Sequence, residues 1–162
     1  MFTKYPSNAV KADGTKIPYE PGKGFNIPST GNWYFDVSIP DVSTMSIHFA
    51  WDANLVATSL NFQDSNFPDF KHVSTMNHDP DAGVDISINN ETAGNWITQD
   101  PSSAYVPSGA GYTITNNTIA ILGGTATGTM MQIGNIATRR RRIKLVVTTV
   151  GVFRVHAHGV GA

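Results

Sequence analysis

The sequence predicts a single all-β domain, a β-sandwich or jelly roll preceded by an extended N-terminal arm. Several short segments alternate apolar and polar residues with the period of half-buried strands. Clusters of Gly, Pro, Asn and Asp separate these segments, and no segment has the periodicity of a helix. The 162 residues suit one domain with its own hydrophobic core.

Residues 1–32 are predicted to form the extended arm. Four prolines and four glycines are spread through this segment, and its apolar residues follow no period. Such a segment does not form its own core, so it either stays mobile or lies along another surface. We expect it to be ordered only in an assembly.

The β-sandwich domain is predicted over residues 33–162. Its first strand is clear, because Trp33, Phe35, Val37 and Ile39 alternate with polar residues or tyrosine until Pro40. Residues 63–83 are expected to form a long polar loop. Residues 111–122 are interpreted as one long strand or as a hairpin through Asn116–Asn117. Further strands are predicted over 45–51, 56–62, 84–88, 96–97 and 130–134.

The last segment, RRRRIKLVVTTVGVFRVHAHGVG, has the pattern of a hairpin that turns at Gly151. In this interpretation Ile143 and Leu145 on the first strand, and Phe153 and Val155 on the second, face the core. The alternation then places the basic residues of both strands on one outward face. The residues on that face are Arg140, Arg142, Lys144, Arg154, His156 and His158.

Charge is strongly segregated along the chain. Residues 24–138 contain ten acids and Lys71 as the only base, whereas residues 139–162 contain six Lys or Arg and no acid. This asymmetry favours a basic surface that binds an acidic partner. The predicted partner-binding residues are Arg139, Arg140, Arg141, Arg142, Lys144 and Arg154. The alternative is a solvated sheet face on which Arg stems cover apolar surface.

Nucleic acid is a weaker interpretation of the basic run. The rest of the chain is acidic, the sequence pI is about 6.5, and no aromatic stacking platform adjoins the arginines. Trp33 and Trp51 fit the inward phase of their strands and are predicted to lie in the core. Trp96 and Tyr105 are the possible exposed aromatic residues.

Two groups of residues have some features of metal sites. Asp79, Asp81 and Asp85 alternate near His72 and His78, but the spacing matches a calcium loop poorly, and a solvated turn is favoured. His156 and His158 share a strand face, but no third ligand is evident in the sequence. We therefore predict no metal, no cofactor and no metal requirement for folding.

The sequence gives little support for catalysis. It has no G-x-S-x-G or H-E-x-x-H motif and no Gly-rich phosphate loop, and its two glutamates lie in loop-like sequence. We expect a protein that is not an enzyme, although a hydrolase with a site that a single sequence does not reveal stays as a third alternative.

Two segments resemble small jelly-roll proteins of tailed-phage particles. They are WYFDVSIPDVSTMSIHFAWDANLVATSLNFQDSNF near the start and RRRRIKLVVTTVGVFRVHAHGVG at the end. The resemblance implies a capsid decoration, or cement, protein that binds the major capsid protein and copies of itself on the virion exterior. It implies no site residues. The alternative is a carbohydrate- or receptor-binding β-sandwich of a fibre or adhesin.

The N-terminal segment lacks the apolar region of a secretory signal peptide, and no apolar run approaches the length of a membrane span. Synthesis in a host cytoplasm and no membrane partner are therefore expected.

Overall fold

In a computed structural model, two antiparallel sheets pack face to face as a β-sandwich. The structure describes residues 2–39, 41–65, 88–89, 91, 96–99, 110–115, 118–134 and 140–161. Among these residues there are thirteen strands and no helix. The all-β class predicted from the alternation of apolar and polar residues is confirmed.

One sheet has five strands, and β13 lies at its centre. β13 pairs with β6 along one side and with β1 and β4 along the other, and β11 extends the sheet beyond β6. The strands are β1 (Phe2–Lys4), β4 (Phe25–Asn26), β6 (Thr44–Trp51), β11 (Thr127–Ile133) and β13 (Val152–Val160).

The other sheet has eight strands. Its order is β3-β2-β5-β12-β7-β10-β9, and β8 pairs with β7. The strands are β2 (Asn8–Lys11), β3 (Lys16–Pro18), β5 (Gly31–Asp36), β7 (Val56–Ser65), β8 (Ile97–Thr98), β9 (Tyr112–Thr115), β10 (Thr118–Ile121) and β12 (Arg140–Thr149).

The hydrophobic core lies between the sheets. Every second residue of the long strands points into it, so that Ile47 and Phe49 of β6 and Ile143 and Leu145 of β12 are buried. Aromatic pairs join the layers: the ring of Phe35 in β5 lies 5.1 Å from that of Phe153 in β13. The predicted burial of Trp33 and Trp51 is confirmed.

The segment predicted as an arm forms part of both sheets. β1 and β4 pair with β13, while β2 pairs with β5. Ala9, Phe25 and Ile27 are buried in the common core, and the proposed boundary between residues 32 and 33 falls inside β5. We expected the segment either to be mobile or to lie along another surface. It does lie along a surface, but that surface belongs to the same chain. Its contribution to the core differs from our expectation.

Most of the predicted strands that fall within the described residues are present. Residues 111–122 form the hairpin alternative, because Thr115 of β9 pairs with Thr118 of β10. Residues 84–87 of the strand predicted at 84–88, and residues 66–83 of the predicted polar loop, lie outside the described residues. Ile88 lies in a turn, and residues 63–65, expected in the loop, belong to β7.

The predicted closing hairpin is wrong. β12 pairs with β5 and β7 in the eight-stranded sheet, whereas β13 pairs with β6, β1 and β4 in the other sheet. The connection at Val150 and Gly151 therefore crosses from one layer to the other. Both strands keep the predicted inward residues, because alternation is the same whichever strand is the partner.

Candidate functional site

The arginine run at the start of β12 is buried rather than exposed. The exposed fractions of Arg140, Arg141 and Arg142 are 7%, 4% and 0%. Arg141 has the inward phase of Ile143 and donates a hydrogen bond from Nη1 to the carbonyl of Ile39 at 2.8 Å. Burial lowers the pKa of Arg141, and the charge of Asp64 on the paired strand acts in the opposite direction.

Arg142 lies on the opposite face of β12, where its guanidinium contacts several side chains and a backbone carbonyl. Its Nε donates to Oε1 of Gln63 at 2.8 Å and its Nη1 to the carbonyl of Ile88 at 2.7 Å. Its Nη2 lies 3.1 Å from Oε2 of Glu91, and its guanidinium lies 4.5 Å from the centre of the Tyr34 ring. Burial lowers the pKa of Arg142 to about 10, while Glu91 opposes this shift. The group therefore remains a cation at neutral pH.

Glu91 joins this buried cation to two further residues. Its Oε1 lies 2.9 Å from Nζ of Lys144 and accepts a hydrogen bond from the hydroxyl of Tyr34. We call Tyr34, Gln63, Glu91, Arg142 and Lys144 the Arg142 network. Because a carboxylate of the same chain pairs with both Arg142 and Lys144, these two basic residues have a structural role.

Trp96 contacts the arginines and is half-buried. Its ring centre lies 4.2 Å from the guanidinium of Arg142 and 5.2 Å from that of Arg140. Such cation–π contacts stabilise both partners and occupy ring surface that a sugar would need. Tyr105 and Arg139 lie outside the described residues.

The structure does not bring the basic residues together on one face. Arg140, Arg142 and Lys144 are in the eight-stranded sheet, and Arg154 is in the five-stranded sheet. The expected single outward face of both strands is therefore wrong, because it depended on the hairpin. Binding of a partner by these residues stays a prediction.

A second group of polar side chains lies on the outer face of the five-stranded sheet. His156 of β13 is paired directly with His48 of β6, and His48 is paired on its other side with Met130 of β11. We call the surface formed by His48, Met130, Arg154, His156 and His158 the histidine face. The sequence suggested His156 and His158 as neighbours, but only strand pairing adds His48, which is more than a hundred residues away from them.

Tyrosines and two grooves border the histidine face. The ring of Tyr5, which is 49% exposed, stacks on His156 with centroids 4.1 Å apart, and it also lies 5.3 Å from Tyr19. A groove of about 280 Å³ runs between these rings, His48 and Arg154. Arg154 also lines a second groove, of about 450 Å³, with Glu20, Lys23 and Asp52 on its rim.

The charged residues in the five strands of this sheet are all basic. Of the residues that form its five strands, none is acidic, whereas Lys4 and Arg154 are cationic. The exposed guanidinium of Arg154 is oriented by hydrogen bonds to the carbonyls of Gly22 and Lys23, at 2.8 and 3.3 Å. Chemically, this arrangement suits recognition of an anionic group.

Of the two metal sites that the sequence suggested, only the histidine pair lies within the described residues. The aspartates Asp79, Asp81 and Asp85 lie outside the described residues. Among the described residues, no three His, Cys, Asp or Glu side chains are grouped as they would be to hold a metal ion. These residues also include no helix that is long and apolar enough to cross a membrane.

No protein-family model, curated protein or solved structure matches this chain.

Proposed function

We propose that this chain is a non-enzymatic subunit that binds a protein lattice, as a capsid decoration protein does, and that it docks through the histidine face. The observation that carries the proposal is the contrast between the two sheets. Arg140, Arg141 and Arg142 of the eight-stranded sheet are buried, and Glu91 pairs with Arg142 and Lys144. Arg154 of the five-stranded sheet is instead exposed on a surface whose strands contain no acid.

The path of the chain also supports a jelly-roll version of the sandwich. From β5 to β7 and again from β11 to β13, successive strands alternate between the two sheets. Jelly rolls connect their sheets in this way and are common in viral capsid and lectin domains. The proposed partners are the major capsid protein and copies of this chain, and the proposed location is the virion exterior.

An acidic patch on the capsid lattice is the surface that the histidine face would recognise. The exposed Tyr5 adds apolar area beside the cations, and aromatic side chains are enriched in the centres of protein interfaces. The exposed guanidinium of Arg154 would attract and orient the acidic patch through electrostatic complementarity.

Co-sedimentation tests the proposal. The purified chain is mixed with capsids of the same phage that were assembled without it, and bound protein is measured after centrifugation. We expect saturable binding that Gln132→Glu weakens, because Gln132 is exposed on β11 beside the histidine face. Thr58→Glu, an equally exposed position on β7 of the other sheet, is the matched control. Absence of binding by the unmodified chain would refute the lattice role, and equal binding by both variants would refute the assigned face.

A glycan-binding module is the second candidate, and Tyr5 is the observation that favours it. Its exposed ring lines the groove of about 280 Å³, together with His48 and Arg154. Trp96 is a poorer platform because it contacts Arg140 and Arg142. Binding to a glycan array that is lost in Tyr5→Ala, with no binding to capsids, would favour this candidate over the first.

A further inference from the structure

Three side chains with metal-binding chemistry form a row on the histidine face. The row crosses three adjacent strands, from His156 of β13 to His48 of β6 and Met130 of β11. Residues paired directly across antiparallel strands have Cβ atoms about 4.5–5.5 Å apart and share a face. Two imidazoles and one thioether therefore lie side by side.

Two donor atoms of this row lie close together, and a third donor atom is unused. Nε2 of His48 lies 2.8 Å from Sδ of Met130. Nε2 of His156 is buried and has no hydrogen-bond partner among the described residues. The stacked ring of Tyr5, inclined by only 6°, covers the imidazole of His156 and restricts its rotation. A buried nitrogen without a partner is costly unless a ligand uses it.

We propose that His48, His156 and Met130 form a binding site for a soft monovalent metal ion, Cu(I). Thioether sulfur selects soft ions, and imidazole also binds copper well. With metal–nitrogen and metal–sulfur distances of about 2.0 and 2.3 Å, Nε2 of His48 and Sδ of Met130 would lie about 3.5 Å apart. They would need to separate by less than about 1 Å from their present contact.

The electrostatics of the face fit this ion better than a hard one. Ca²⁺ and Mg²⁺ prefer carboxylate oxygens, and the five strands contain none. Arg154, two residues from His156, directs its guanidinium to the carbonyls of Gly22 and Lys23.

Anaerobic titration of the full chain with Cu(I), in competition with a chromogenic Cu(I) chelator, tests the site. We expect Met130→Leu and His156→Gln each to lose one equivalent of tightly held Cu(I). Leu is close in size to Met, and Met130 points away from the core, so the fold is expected to persist. His158→Gln is a control on the same face, and Met76→Leu is a thioether control close in sequence to two other histidines.

The results for these variants distinguish the proposed site from a Cu(I) site elsewhere in the chain. Unchanged Cu(I) stoichiometry in Met130→Leu would overturn the proposal, as would loss of the equivalent in Met76→Leu alone. Loss in His158→Gln with retention in Met130→Leu would replace it by a three-histidine site. If His156→Gln does not fold, the Met130 methyl NMR signal decides, since it must shift when Ag(I), a redox-inert substitute for Cu(I), is added. The proposal does not depend on capsid binding.

Discussion

At the scale of single residues, Arg142 illustrates what strand alternation can and cannot reveal. Alternation correctly placed Arg142 and Lys144 on one face, and both contact Glu91. It did not reveal that Ile88, Glu91 and Trp96, from a distant part of the chain, meet that face. The carboxylate that pairs with Arg142 is more than fifty residues away in sequence, and the sequence contains no local signal for this contact.

Arg142→Ala is expected to destabilise the fold by about 3–5 kcal/mol. The change would leave Gln63 and Glu91 without their cation, and it would open a cavity beside Tyr34. Urea unfolding measures the effect. Lys23→Ala is the control, because that side chain is 81% exposed and its pair with Glu20 is a surface pair worth under about 1 kcal/mol. Similar losses in the two variants would mean that the Arg142 network contributes little stability.

At the scale of elements, the connection between β12 and β13 was the main error of the sequence interpretation. Both strands alternate correctly around Gly151, and this pattern fits a hairpin and a crossing between sheets equally well. A hairpin and a crossing differ in which strands lie beside β12 and β13. Pairing of β12 with β5 and β7 depends on residues distant in sequence, so local periodicity does not specify it.

Gly151→Ala is expected to destabilise the chain by about 1–3 kcal/mol, as overpacking commonly does. A Cβ at this position would lie 2.5 Å from the backbone nitrogen of Leu55 and from Oδ1 of Asp52, which accepts a hydrogen bond from that nitrogen. Thermal unfolding gives the measurement. Gly134→Ala is the control, because its Cβ would meet no atom of the described residues within 4 Å. An equal melting temperature in both variants would contradict the close approach of this connection to Leu55.

The N-terminal strands provide a second test at this scale. Phe25 of β4 is fully buried, with its ring 5.1 Å from that of Phe35 in the opposite sheet. Phe25→Ala should cost about 3–5 kcal/mol, as for other buried aromatic residues. Val160→Ala, at a position that is 48% exposed, should change stability by less than about 0.5 kcal/mol. A mild effect of Phe25→Ala, measured by urea unfolding of a dilute monomer, would restore the original view of an arm that is ordered only in an assembly.

At the scale of the whole molecule, the charge asymmetry of the sequence is divided between two layers. The sequence located the cations near the C-terminal end, and the structure distributes them so that Arg142 and Lys144 share the carboxylate of Glu91 while Arg154 is exposed. The histidine face could not be predicted in full, because His48, Met130 and Tyr5 join it only through strand pairing and packing. His48 and Met130 lie close to the C-terminal strand in space but far from it in sequence.

If the histidine face docks on an acidic lattice, binding should depend on salt through Arg154. Two charges about 4 Å apart interact by about 1 kcal/mol in water, so Arg154→Gln should weaken capsid binding about fivefold at low salt. At 1 M salt the screening length falls to about 3 Å, and the difference between the two proteins should nearly vanish.

Lys16→Gln removes the same charge from an exposed position on β3 of the other sheet and should leave binding unchanged. Co-sedimentation at low and high salt measures all three proteins, and their melting temperatures verify that each is folded. Equal weakening by the two substitutions would indicate a non-specific effect of net charge, and no weakening by Arg154→Gln would remove the exposed guanidinium from the docking mechanism.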